Sequence, residues 1–242
     1  MMKNEILVLL AAALFLASAE FCCAQQVQPL SIDAGTLGSM LNKPDQIVLV
    51  DGRSFLECMD TRLPGSFCAS GNQEKDEAVF ARRDKNTKIV FYTGRGTIDY
   101  DHPLYAAAVK KGFSNIYGLE GGLLSWREAG NPVEFSMRIP RIPAQAVKPE
   151  NLSAWLKKTK NSLVVDIRPA REYSAGHLEG ALNFPLALLH IRYPDIPLEK
   201  TLLVTDEDGT ESFLASSYLY RKGFIKIFRL KGGMAEYRRG VK

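Results

Sequence analysis

The residue groups best suited to chemistry follow two apolar runs. After Ile89-Val90-Phe91-Tyr92 comes Thr93-Gly94-Arg95-Gly96-Thr97, which combines two glycines, two hydroxyls and a guanidinium. That set is compatible with a small oxyanion held by backbone donors and Arg95. A second reading is equally open, in which the glycines only shape a turn and Arg95 is solvated. After Leu202-Leu203-Val204-Thr205 the types reverse: Asp206, Glu207, Asp208 and Glu211 crowd carboxylates around a short loop. Like charges at that spacing disfavour an anionic ligand. The same loop lacks the Asp-x-Asp-x-Asp-Gly order of a dedicated calcium site and reads as a solvated acidic edge.

Other polar residues read as structural. Asp51 with Arg53, and Asp166 with Arg168, end two further apolar runs, where an aspartate–arginine pair can brace neighbouring loops. His177 is one of only three histidines, and no second ligand lies at a recognised metal spacing, so it is taken as structural and no metal site is expected. Gly94-Arg95-Gly96 is half of a dinucleotide fingerprint without its third glycine or ribose-binding acid, and no cofactor is expected. The formal charge of +4 comes without a dense basic run or interleaved aromatics, which argues against nucleic acid as a partner.

The elements that position these groups occur twice. Ile47-Val48-Leu49-Val50-Asp51-Gly52-Arg53 returns as Leu163-Val164-Val165-Asp166-Ile167-Arg168, and the same offset carries Glu57 onto Glu172, Leu63 onto Leu178 and Gly65 onto Gly180. Gly112-Phe113 and Gly121-Gly122 return as Gly223-Phe224 and Gly232-Gly233 at a slightly smaller offset, which marks loop deletions in the second copy. The boundaries read as one domain over 28–137, a proline-punctuated linker over 138–148 and a second domain over 149–242.

Short β-branched runs, Ile47–Val50, Ile89–Tyr92 and Asn115–Tyr117, then Leu163–Val165, Leu202–Val204 and Lys226–Phe228, are too continuously apolar to face water on one side. Helical stretches Leu104–Lys111 and Ser212–Lys222 each run into a glycine suited to a left-handed cap. Alternation of this kind implies an α/β fold, two tandem domains each with a parallel sheet covered by helices on both faces. Trp126 and Tyr237 follow the paired glycines at equal spacing and read as core anchors.

In order and spacing, these motifs resemble the rhodanese-like (thiosulfate sulfurtransferase-like) superfamily. The second copy carries the resemblance in Asp166-Ile167-Arg168-Pro169, Glu172-Tyr173, Gly176-His177-Leu178-Glu179-Gly180 and Gly232-Gly233-Met234; the first carries it in Asp51-Gly52-Arg53-Ser54, Leu63-Pro64-Gly65-Ser66 and Gly121-Gly122-Leu123. The resemblance implies an active loop between a central strand and the next helix, opening with a cysteine whose thiolate carries sulfur as a persulfide. Here Thr93 and Asp206 stand at the two nucleophile positions, so no catalytic residue is expected. The resemblance also places Cys58 and Cys68 on a neighbouring helix and strand. They are read either as a disulfide or as two small buried residues matching Tyr173 and Asn183.

At the N-terminus, Lys3 precedes an apolar run, Ile6–Ala17, that is shorter than the roughly 20 residues of a spanning helix. Residues 1–24 read as a signal peptide cleaved after Ala19 or Ala24, leaving a periplasmic or extracellular protein with no membrane segment. The expectation is an exported, catalytically degenerate rhodanese-like protein that binds a small oxyanion, a sulfur species or a protein partner. The alternative is a sulfurtransferase acting through a partner's thiol.

Overall fold

The computed structural model describes residues 29–43, 47–96, 102–139 and 141–240. The expected signal peptide therefore lies outside the described residues, as does Thr97. Among the described residues, no helix is long and apolar enough to cross a membrane.

Two five-stranded sheets form, and every pairing in them is parallel. The first contains β1 (Leu30–Ile32), β2 (Ile47–Asp51), β3 (Phe67–Cys68), β4 (Lys88–Tyr92) and β5 (Ile116–Leu119) in the order β1-β5-β4-β2-β3. The second contains β6 (Gln145–Val147), β7 (Ser162–Asp166), β8 (Leu182–Asn183), β9 (Thr201–Thr205) and β10 (Ile227–Leu230) in the order β6-β10-β9-β7-β8. The register repeats too: Asp51 sits opposite Tyr92, and Asp166 opposite Thr205.

The central strands are buried on both faces, as their unbroken apolar runs require. Val48, Val50, Ile89 and Phe91 pack on one side of the first sheet, and Leu49, Val90 and Tyr92 on the other. In the second sheet Val165, Leu202 and Val204 oppose Val164 and Leu203.

Three expectations need correction. Gln145–Val147, expected in the linker, forms β6 and pairs with β10, so the second sheet begins inside that segment. β5 and β10 run further toward the paired glycines than expected, because the short edge strands β1 and β6 pair with their later residues, as in Ile32 opposite Leu119 and Val147 opposite Leu230. The helices α4 (Pro103–Lys110) and α9 (Glu211–Arg221) each start and stop one residue early, and the chain then passes through Gly112 and Gly223 at φ 82 and 100.

The remaining helices in chain order are α1 (Ala34–Leu41), α2 (Phe55–Asp60), α3 (Gln73–Glu77), α5 (Gly122–Glu128), α6 (Leu152–Lys158), α7 (Ala170–Ala175), α8 (Leu186–Arg192) and α10 (Gly233–Gly240). The two copies share a boundary that is packed and apolar: Leu56 of α2 and Ile139 belong to the same core cluster as Phe184, Leu189 and Leu214 of the second copy. The Phe55 ring stacks on His190 of α8 with centroids 4.2 Å apart.

Candidate functional site

Both loops of interest leave the carboxyl end of a central strand and are backed by a Gly-Gly turn. In the first copy the Leu123 amide donates to Thr93 O at 2.8 Å and the Leu124 amide to Gly94 O at 3.1 Å. In the second, the Met234 amide donates to Asp206 O at 2.9 Å and the Ala235 amide to Glu207 O at 2.8 Å. This close approach explains the glycines. Gly122 and Gly233 take positive φ, and a Cβ would stand 2.2 Å from Thr93 O at the first and 2.6 Å from Asp206 O at the second. Thr93 and Asp206 are therefore structural equivalents.

Their side chains behave differently. The Thr93 hydroxyl donates to Arg95 O at 2.8 Å, which turns it into the loop's own backbone, and Arg95 is exposed. Of the five residues expected to hold an oxyanion, Thr93 and Arg95 are thus joined by a hydroxyl-to-carbonyl bond. Gly94 lies against Arg53, whose Cδ would be 3.5 Å from an added Cβ.

Asp206 is 1% exposed, and its carboxylate turns into the loop, where Oδ1 accepts the Gly209 amide at 2.9 Å and Oδ2 the Ser212 amide at 2.8 Å. The backbone donors at the start of α9 are thereby occupied by the chain's own anion. Burial raises the pKa of Asp206 above the ordinary carboxylate value, against the lowering effect of the two amides.

The acidic loop is the solvated edge its composition implied except at Asp206: Asp208 and Glu211 are exposed and Glu207 is half-buried. Glu207 forms ion pairs with Arg168, at 3.5 Å, and with Arg238. Asp208 accepts the Thr210 amide at 2.9 Å. Glu211 is exposed on its outer side; desolvation of its inner side, then Glu57 of the first copy, Asp206, Asp208 and Glu172, pushes its pKa up to about 7. Glu57 was not a sequence candidate here, since only the packing of one copy on the other brings it near Glu211.

The aspartate–arginine pairs sit at equivalent strand ends. Arg53 donates to Asp51 through its amide and Nε at 3.0 and 2.9 Å, and Asp51 also accepts the Tyr92 hydroxyl at 2.7 Å. Burial, then the adjacent Asp51, holds the Tyr92 hydroxyl well above its usual value. Arg168 donates to Asp166 Oδ2 at 2.7 Å and to Gly176 O at 2.8 Å, tying strand end to loop. His177 is exposed; its ring stacks on Tyr173 at 3.9 Å and its Nδ1 lies 2.9 Å from Tyr173 O. Among the described residues, no group of three metal-ligating side chains comes together.

Cys58 and Cys68 are joined in a disulfide with their α-carbons 5.7 Å apart, within the usual range. Between the copies lies a cleft of about 410 Å³ lined by residues that include Arg53, Phe55, Gly71, His102, Ala187 and Leu188. The first loop's ligand candidates Thr93 to Gly96 do not line it.

A duplicated parallel α/β domain with a strand-to-helix loop backed by a Gly-Gly turn defines the class of protein. Comparison with known proteins gives the family: the Rhodanese-like domain matches residues 33–129 and 148–239, and the chain belongs to that family. A sulfurtransferase of Allochromatium vinosum is 33% identical over 90 residues, covering 37% of this chain and 84% of the relative. The tRNA uridine(34) hydroxylase of Yersinia enterocolitica is 29% identical over 115 residues, 42% of this chain but only 33% of that protein. Among solved structures, the thiosulfate sulfurtransferase of Pseudomonas aeruginosa matches at 20% identity and TM-score 0.37, covering 84% of this chain and 43% of that one.

Proposed function

We propose that this chain is a catalytically degenerate member of the rhodanese-like family, serving as a binding or accessory module outside the cytoplasm. The observation that carries this reading is the self-filled second loop: Asp206 stands where its strand-to-helix loop begins, and its carboxylate takes the Gly209 and Ser212 amides that an incoming anion would need. The first loop supports the same reading, because it opens with Thr93 and holds no cysteine. A threonine hydroxyl without an adjacent base is a poor nucleophile, and a carboxylate carries no persulfide. What remains for the first loop is non-covalent recognition of a small oxyanion, a sulfur species or a protein partner, with Arg95 as its exposed cation. Export rests on the apolar leader in residues 1–24, and a Cys58–Cys68 disulfide fits an oxidising compartment.

A second reading, sulfur transfer through a thiol supplied by a partner, draws on the relative named a sulfurtransferase. One assay separates the two. Incubated with thiosulfate and cyanide, the protein should form thiocyanate no faster than buffer, with or without an added low-molecular-weight thiol. Turnover that appears only with the added thiol establishes the second reading, and turnover without it refutes the first.

A further inference from the structure

The two copies solve one structural problem by different means. In the second copy, hydrogen bonds hold helix α7 and the edge strand β8: Tyr173 of α7 donates its hydroxyl to Ala181 O, just before β8, at 2.6 Å, and Asn183 Nδ2 of β8 donates to Asp166 O and Arg168 O at the end of β7 at 3.0 and 2.9 Å. At the corresponding positions of the first copy stand Cys58 and Cys68, and a disulfide takes the place of the two hydrogen-bonding side chains. It joins α2 to β3, an edge strand only two residues long that pairs with β2 alone.

The two segments tied by this bond are also the two that grip the second copy. From α2, Phe55 stacks on His190 and Leu56 enters the second copy's core, while Asp60 holds the connecting segment by accepting the Ile139 amide at 2.8 Å and Arg141 at 2.8 Å. From the turn after β3, Ser70 O meets His190 Nε2 at 3.0 Å, and Gly71 fits so closely that a Cβ would stand 2.9 Å from Leu188. One imidazole is thus held between a ring on α2 and a carbonyl past β3. Asp76 sets the turn's own shape by accepting the Ser70 and Gly71 amides, but the distance of that turn from α2 is set by the covalent bond.

We propose that the Cys58–Cys68 disulfide is a redox clamp on the domain interface, holding α2 and the 69–71 turn at the separation that grips α8. A protein or small-molecule dithiol reverses it. A donor thiolate attacks the half-buried Cys68 sulfur, the Cys58–Cys68 bond breaks, and the donor's second thiol resolves the mixed disulfide. The donor leaves as a disulfide; its two electrons and two protons end on Cys58 and Cys68 as thiols. Loss of the tie frees the short edge strand and opens the cleft between Phe55, Gly71 and Leu188. This inference is independent of what either strand-to-helix loop binds.

Amide hydrogen exchange on the full chain, before and after dithiothreitol, tests it. Reduction should speed exchange about tenfold or more over residues 69–71 and 186–192 while the central strands β4 and β9 keep their protection, the pattern of a local opening. The Cys58→Ala/Cys68→Ala double variant should match the reduced protein and ignore dithiothreitol. Unchanged exchange at α8 on reduction would overturn the proposal, as would equal loss of protection in β4, which would make the bond a general support of the first domain. Free thiols at both Cys58 and Cys68, located by alkylation and peptide mapping of the protein isolated without reductant, would overturn it as well.

Discussion

Asp206 Oδ2 accepts the Ser212 amide at 2.8 Å, so the residue that opens the second loop also caps the helix that leaves it. Among the described residues of the first copy, Thr93 makes no such contact with α4; there His102 Nδ1 accepts the Leu104 amide at 3.3 Å and caps the helix. The residue that opens the loop caps the helix in the second copy, and His102 caps it in the first.

Asp206→Ala removes an acceptor of two amides and should lower the stability of the second domain by about 1–2 kcal/mol, the usual cost of a lost N-terminal cap. Asp206→Asn keeps one carbonyl acceptor and should lose less. Urea unfolding at neutral pH measures both. An alanine variant as stable as the parent would mean that burial of the carboxylate cancels its hydrogen bonds, and that the amides do not need Asp206.

Thr93→Cys should give the more reactive thiol of the two loop substitutions. Thr93 is half-buried, whereas Asp206 is 1% exposed and has Asp208 and Glu211 as acidic neighbours, which disfavour a thiolate. Thiol-probe rates across pH should place Thr93→Cys ahead of Asp206→Cys. A faster Asp206→Cys would show that the Gly209 and Ser212 amides outweigh burial and neighbouring charge.

Stability should decline through neutral pH because of Glu211. Its folded pKa of about 7 lies above the ordinary 4.5, so the folded protein holds this proton more tightly than the unfolded chain does. The contribution is complete below 4.5 and is lost as pH rises through about 7. Glu211→Gln should flatten this part of the profile and raise the melting temperature at about pH 8 relative to the parent, with little difference at about pH 4. A melting temperature for Glu211→Gln that tracks the parent across the whole range would remove Glu57 and Glu211 as opposed charges.

The parallel α/β architecture was legible because Ile47–Val50, Ile89–Tyr92 and their counterparts are buried on both faces and so lose all polar alternation. The edge strands β3 and β8 were not, since two residues such as Phe67–Cys68 or Leu182–Asn183 carry no period. β6 was hidden for another reason: Gln145–Val147 lies beside prolines that read as linker, and only pairing with β10 makes it a strand. The loop positions of Thr93 and Asp206 could be read from the repeat, but the direction of the Asp206 carboxylate could not. In sequence it is one of several acidic residues, and only the fold buries it while leaving Asp208 outside. Contacts between the copies, Glu57 near Glu211 and Phe55 on His190, leave no local pattern at all.

The central claim is that neither strand-to-helix loop carries sulfur covalently, and intact-mass measurement after incubation with thiosulfate, without reductant, tests it most directly. The account predicts an unchanged mass, with Cys58 and Cys68 still joined. A gain of one sulfur atom that is discharged to cyanide as thiocyanate would contradict it.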